Sequence, residues 1–327
     1  MVLFEARIKL LSPAIVTTRR TELGFVKPAD HIPGSMLRGA ILTALYLEGR
    51  LDRDDLEREA ESPSLLASPA YPMLKGSKSL PATPSMMRCD RCHVIEYYGL
   101  PERLIAPKLY HECDGQQGHR EPLKPIHGSL VAVVDGELEE VRVSAFRATS
   151  VAIDKGRRVA ARGMLFDYEA IAEGTEFWSL LLVPDQYRFN SIEVTVGRGR
   201  SRGFGSAALT VQPAQQHPGT EWYVALSPIV PQRRFGWRGC AVRLIEVFGR
   251  TSKLQTGWDY MRGRMRPIVR VARRGSLVKA EVMGESRDEV LRVGIPVKLG
   301  GFLLTGLNAL IPLSEYESIL GVKRSHE

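Results

Sequence analysis

Residues 197–205 read Gly-Arg-Gly-Arg-Ser-Arg-Gly-Phe-Gly. Gly197, Gly199, Gly203 and Gly205 let the main chain take positive φ and come close to a ligand. Arg198, Arg200 and Arg202 alternate with small residues, Ser201 among them, so three guanidinium groups project from one arm. Successive backbone N–H groups in such a loop can also cradle an anion. The chemistry on offer is phosphate capture. It is not that of a P-loop, because no Lys-Ser/Thr pair follows the last glycine. Nor is it a dinucleotide fingerprint, because the loop runs into a strand-like segment with no βαβ frame around it.

A second constellation is metal-binding in type. Cys89, Cys92, His93, His111, Cys113, His119 and His127 fall within 39 positions. Cys89-x-x-Cys92 presents two thiolates on a tight turn, and Cys113 with one histidine completes a tetrahedral Cys₃His site. His119 is the preferred fourth ligand, because Gly115 and Gly118 let the chain fold back; His111 is the competitor. With four protein ligands the zinc would be structural, with no open position for a catalytic water. A redox-active Cys89–Cys92 pair, or unliganded surface groups, is the other reading. Cys240 stands alone and reads as a buried thiol.

The charge balance favours a polyanionic partner. The 327 residues carry 45 Lys+Arg against 37 Asp+Glu. Pro231–Arg274 holds 12 of those cations and two acids, Glu246 and Asp259. Eleven of the 12 are arginines, which pair bidentately with phosphate and stack on bases better than lysine. Phe235, Trp237, Phe248, Trp258 and Tyr260 are interleaved with them, a mixture suited to single-stranded nucleic acid. Arg233, Arg234 and Trp258 are therefore candidate RNA-facing residues. Four cysteines are no disulfide scaffold, the start of the chain has no basic segment leading into an apolar run, and no apolar run reaches membrane-spanning length. A cytoplasmic protein without a membrane partner is the expectation.

These residues must be positioned by an α+β chain in two halves. Residues 2–11 alternate as a strand, with Phe4, Ala6, Ile8 and Leu10 on one face. Ser35 is placed to cap a helix over 36–47 whose stripe is Leu37, Ala40, Ile41, Ala44 and Leu45, and a short charged helix follows over 52–60. Residues 61–128 show no sustained period and read as an insertion. Strands are expected at 130–134 and 141–146, turned at Asp135-Gly136, then at 177–183 and 206–211. Residues 213–219 are a linker by composition. A mostly β half follows, with strands at 222–226, 242–247, 268–271, 277–282 and 291–297. The expected division is 1–212, carrying the insertion, and 213–327.

Several motifs together resemble one family. His31-Ile32-Pro33-Gly34-Ser35-Met36-Leu37-Arg38-Gly39-Ala40 looks like the strand-to-helix signature of CRISPR-associated RAMP proteins, and residues 197–205 look like their glycine-rich loop. Leu80-Pro81-Ala82-Thr83, residues 149–154, Gly163-Met164-Leu165-Phe166, residues 173–177, Thr256-Gly257-Trp258 and Gly275-Ser276-Leu277 are similar, in that order, to the RAMP subunit that caps the 5′ handle of the guide RNA in type III-D effector complexes. The resemblance implies tandem ferredoxin-like (RRM-like) domains, interrupted here by the insertion whose cysteines and histidines read as a zinc site. It implies a subunit of a ribonucleoprotein acting in antiviral defence. Its partners would be crRNA, backbone RAMP subunits, the large signalling subunit and, indirectly, target RNA. The glycine-rich loop and Arg38 are the implied handle contacts. One departure is a second glycine-rich stretch, Val293 to Gly306, whose one charge is Lys298. It suits a protein–protein surface better than an RNA contact.

Catalysis is not the leading expectation. Guide-processing RAMP endonucleases use a base such as histidine near the first strand–helix junction, where His31 lies; target-cleaving backbone RAMPs use an aspartate near Asp30. No second acid/base partner is evident beside His31, and Asp30 reads as a turn former. A non-enzymatic RNA-binding subunit is expected, with a guide-processing endoribonuclease and a repeated backbone subunit as alternatives.

Overall fold

The computed structural model describes residues 1–17, 28–101, 110–113, 120–154, 156–215, 220–255, 257–259, 263–284 and 287–322. Strand β1 (Val2–Leu10) turns Ala6, Ile8 and Leu10 to one side and Leu3 to the other. Helix α1 (Gly34–Leu47) buries Leu37, Ile41 and Leu45 against the first of these sides. It starts one residue before the expected cap: Pro33, not Ser35, precedes the first turn. Gly34 allows this, since a Cβ there would collide with the Ala67 carbonyl. Helix α2 (Arg53–Glu61) follows Asp52, whose side chain accepts the Asp55 N–H at 2.7 Å while Asp55 accepts the Asp52 N–H at 3.0 Å, a reciprocal cap.

The expected insertion is narrower than 61–128. Strands β2 (Leu66–Ala67), β3 (Tyr71–Leu74), β4 (Ser77–Lys78) and β5 (Leu80–Pro81) belong to the body of the fold. They are two to four residues long, too short to show a period. The separate piece is a four-stranded sheet of β6 (Met86–Cys89), β7 (Ile95–Tyr97), β8 (Tyr110–Glu112) and β9 (Arg120–Pro125), ordered β7-β6-β9-β8. The hairpin β10 (Leu130–Val134) and β11 (Glu137–Val141) turns at Asp135-Gly136, both with positive φ, so the second strand sits earlier than 141–146. An unanticipated two-stranded arm follows, β12 (Ala145–Asp154) with β13 (Val159–Ile171). Strands β14 (Glu176–Val183), β15 (Ser191–Thr195) and β16 (Ser206–Pro213) complete this half in a sheet ordered β15-β16-β1-β14-β3-β4.

The second half runs through β17 (Trp222–Ala225), β18 (Arg234–Trp237), β19 (Cys240–Phe248), β20 (Thr251–Gln255), β21 (Trp258–Asp259), β22 (Arg264–Met265), β23 (Ile268–Ala272) and β24 (Leu277–Met283). Helix α3 (Arg287–Val293), β25 (Val297–Leu299), β26 (Phe302–Leu304), β27 (Leu310–Pro312) and helix α4 (Leu313–Leu320) end it. The expected strand at 291–297 is instead the end of α3 and the connection to β25, which opens at Val297; Asp288 and Glu289 in the first helical turn favour the helix. The main sheet is ordered β18-β19-β24-β17-β27.

The two main sheets share an arrangement. The strands β1, β3, β14 and β16, in chain order, stand fourth-first-third-second in space, antiparallel throughout, and so do β17, β19, β24 and β27. The halves also share a core. Strand β14 is buried on both faces: Phe177, Leu181 and Val183 face α1, while Trp178, Leu180 and Leu182 join Val224, Leu277, Ile311 and Tyr316 of the second half. That explains why apolar residues line both of its faces, interrupted only by Ser179, which is buried and hydrogen-bonded to Ser68.

Candidate nucleic-acid interface

The glycine–arginine segment is the loop of the β15–β16 hairpin, and it is firmly built. All four glycines have φ between 82° and 87°. A Cβ at Gly197 would collide with the Ile15 carbonyl, and one at Gly205 with the Val196 carbonyl. The Arg198 N–H donates to Ile15 O at 3.0 Å and the Gly205 N–H to Pro13 O at 2.9 Å, so residues 13–15 hold the base of the loop. Arg200–Arg202 form one 3₁₀ turn between left-handed Gly199 and Gly203. Arg198, Arg200 and Arg202 are all exposed, and Ser201 with them. Arg198 Nη2 donates to Thr17 Oγ1 at 3.0 Å. Arg200 has no ion-pair or hydrogen-bond partner for its side chain among the described residues. The arm is a rigid display of cations.

Beside the loop runs a groove of about 420 Å³ between α1 and β15. Gly197 and Arg200 line one part of it, Gly39 and Thr43 its helix wall, and Glu193 and Thr195 its strand wall. None of the groove's polar side chains apart from Arg200 was singled out by the sequence. Their signal is only positional: Glu193 and Thr195 share the outward side of an edge strand that leads into the loop.

Arg38 points elsewhere. Its guanidinium donates to Leu65 O at 2.8 Å, to Glu59 O at 2.7 Å and to Glu59 Oε2 at 2.7 Å, while Glu59 also accepts the Ser64 and Leu65 N–H groups. Burial, opposed by the Glu59 carboxylate, pulls its pKa down, and the charge of nearby Arg266 pulls the same way. Arg38 thus ties α1 to the α2–β2 connection.

The halves meet at a second cluster. Arg274 Nη1 donates to Asp30 Oδ1 at 2.8 Å, and Nη2 donates to Asp30 Oδ2 and, at 2.9 Å, to Gly128 O. His31 Nδ1 lies 2.8 Å from Asp30 Oδ1 and 2.7 Å from Arg274 Nη1. Burial pushes the Asp30 carboxyl up, but hydrogen bonds from His31 and Arg274 win and hold it far below the carboxylate range. Burial and the Arg274 charge both lower the His31 pKa, against the pull of Asp30. His31 is therefore held neutral, wedged beside Tyr71 at 5.7 Å between ring centroids.

Arg233 and Arg234 are exposed at and just before β18, whose hairpin tip packs on the first half: Trp237 Nε1 donates to Pro63 O at 3.2 Å and Arg238 to Ser62 O at 3.1 Å. Among the described residues no hydrogen bond or ion pair joins them to the 197–205 loop. Trp258 sits in β21 opposite Met265. The second glycine-rich stretch packs against the start of α1 at Gly306, where a Cβ would press on Ser35 N, while Lys298, Gly300 and Gly301 at its turn are exposed.

In the small sheet, the ligand atoms of Cys89, Cys92 and Cys113 lie within 4.8 Å of one another. The Cys89–Cys113 sulfur separation is 3.6 Å, close to the about 3.8 Å that two 2.3 Å Zn–S bonds at a tetrahedral angle require. The turn is a knuckle: Cys89 N–H donates to Val94 O at 3.0 Å, His93 N–H to Cys89 O at 3.1 Å, and His93 has φ 63°. Burial opposes ionisation of Cys89, but the N–H groups of Cys92 and Arg91 outweigh it and bring the thiol down to about 7. Burial and the neighbouring thiols push Cys113 up to about 12. This donor set fits a thiophilic ion. His119 lies outside the described residues, and His111 is on β8, paired in register with Glu121. Cys240 is buried in the second half, away from this cluster, its thiol pushed up to about 12 by burial.

A chain of the type III-B Cmr-beta structure bound to cognate target RNA and AMPPnP matches this one with a TM-score of 0.53, over 84% of this chain and 86% of that one, at 15% identity. The two chains share their fold. A chain of Cmr-beta bound to cognate target RNA matches over the same shares, at 15% identity and a TM-score of 0.51. No protein-family model matches the sequence, and no curated protein matches it. No helix among the described residues is long and apolar enough to cross a membrane.

Proposed function

We propose that this protein is a non-catalytic crRNA-binding subunit of a type III effector complex, of the type III-D kind, and that it caps the 5′ repeat-derived handle of the guide. The observation that carries the reading is the loop itself: three exposed arginines on a glycine frame anchored to residues 13–15, on a fold shared with a chain of an RNA-bound Cmr-beta structure. Each half is ferredoxin-like with one helix missing. The first keeps the helix after its first strand, α1, and the second keeps the helix after its third, α3. The sheets thereby close on each other through β14.

The handle lies along the 197–205 loop and α1, reaching Arg266. Arg38 supports α1 from within. The cysteine cluster with one histidine holds a structural zinc that orders the small sheet, a contact for a neighbouring subunit such as a backbone RAMP or the large signalling subunit. The protein grips without cutting: His31 and Asp30 are spent on Arg274. The assembled complex acts in the cytoplasm.

The test is photo-crosslinking in the assembled particle, with a photoreactive nucleotide at each handle position, followed by mapping of the linked peptide. Crosslinks from the handle to residues 197–205, at one copy of this chain per guide, are expected. Crosslinks spread along the spacer with several copies per guide would make it a backbone subunit instead.

A further inference from the structure

The groove between α1 and β15 has a polarity that a phosphate track alone would not have. Its loop end carries Arg200. Glu193, exposed on the edge strand, also lines it, and its carboxylate has no ion-pair or hydrogen-bond partner among the described residues. The other acid, Glu48, lies 3.6 Å from the guanidinium of Arg50 and is partly neutralised. A free carboxylate beside a phosphate site repels phosphate, yet it accepts hydrogen bonds from a base that offers N–H groups. Glu193 and Thr195 share one side of β15, and Gly197 lies in the bend two residues past its end, so at most about 13 Å of backbone separates Glu193 from Gly197. That is the scale of one nucleotide, from phosphate to base edge. The helix wall leaves room for a ring: Gly39 is exposed, and a Cβ there would meet nothing within 4 Å. The volume of about 420 Å³ lies in the range of small-ligand clefts, about 300–1,000 Å³.

We propose that this groove is a base-reading subsite: Arg200 holds a phosphate while Glu193 accepts the exocyclic amino group of the attached base, so that adenine and cytosine are taken and uracil is refused. The inference rests on the RNA-binding reading above. Uracil offers a carbonyl oxygen where cytosine has its amino group, and two acceptors facing each other cost affinity.

The experiment is fluorescence anisotropy of the full chain with labelled octamers of adenylate, cytidylate and uridylate, over a salt series. Adenylate and cytidylate should bind roughly tenfold tighter than uridylate. Glu193→Gln should erase that preference and leave the salt dependence unchanged. Gly39→Leu fills the groove while replacing a glycine inside a helix, which favours folding. It should bring the amino-bearing octamers down to the uridylate level. Equal wild-type affinity for all three octamers with a steep salt dependence would overturn the subsite and leave RNA binding standing. A preference that survives Glu193→Gln would also overturn it. No binding of any octamer, even at low salt, would sink the RNA-binding reading itself.

Discussion

Asp30 and Arg274, 244 positions apart, form a two-pronged ion pair that locks the two halves together. Arg274 is largely buried and also holds the Gly128 carbonyl, while its guanidinium stands 5.8 Å from the centre of the Tyr71 ring. The residues that a sequence search would suspect of catalysis are thus the ones that fasten the body of the protein.

Breaking this lock should cost stability. Arg274→Gln is expected to lower it by about 2 kcal/mol, less than the about 3–5 kcal/mol of a fully buried pair because Asp30 stays partly in water. Urea unfolding at neutral pH measures this. The folded-state pKa of Asp30 is depressed, so its contribution is present above the unfolded value near 4 and is lost as pH falls below it. Wild type should therefore lose more stability than Asp30→Asn between pH 6 and about pH 3.

His31 should be dispensable for any cleavage. Incubation of the purified chain with repeat RNA should yield no product in wild type or in His31→Ala. A product that appears with wild type and vanishes in His31→Ala would make this protein a processing endoribonuclease.

The loop glycines should rank by what a side chain would meet. Gly205→Ala drives a Cβ into the Val196 carbonyl at φ 87° and should cost about 2 kcal/mol or more. Gly203→Ala, at φ 82° with open space around it, should cost about 1 kcal/mol. Unfolding midpoints of the two variants check the order.

Metal analysis of the chain purified without chelator should find about one zinc per molecule. Cys89→Ser should lose it, with faster amide exchange across β6–β9, and Cys240→Ser should keep it. A metal-free, folded chain with the small sheet protected would argue against the site.

The sequence made local features legible and long-range ones not. Strand β1, helix α1 and the Asp135-Gly136 turn follow from periodicity and turn chemistry within a few residues of each other. Strand β14 was visible as an apolar run, but not that its two faces serve two halves. The arm β12–β13 escaped notice because its strands carry Arg147, Asp154 and Glu169 among apolar residues, of which Phe146, Val151, Ile153 and Val159 are exposed. Arg38 looked like a ligand contact because its partner, Glu59, is brought to it by a helix packing that no spacing reveals. The cluster of Cys89, Cys92 and Cys113 was readable because cysteines announce their chemistry, whereas Glu193 looks like any surface acid until the helix beside it is in place.

The measurement that bears most directly on the central claim is the affinity of handle RNA for the chain with Arg198, Arg200 and Arg202 all changed to Ala, over a salt series. The loop should contribute up to three phosphate contacts, so affinity should fall strongly and the slope of log K against log salt should flatten by about 2. If affinity and slope both stay at wild-type values, the loop does not hold the guide.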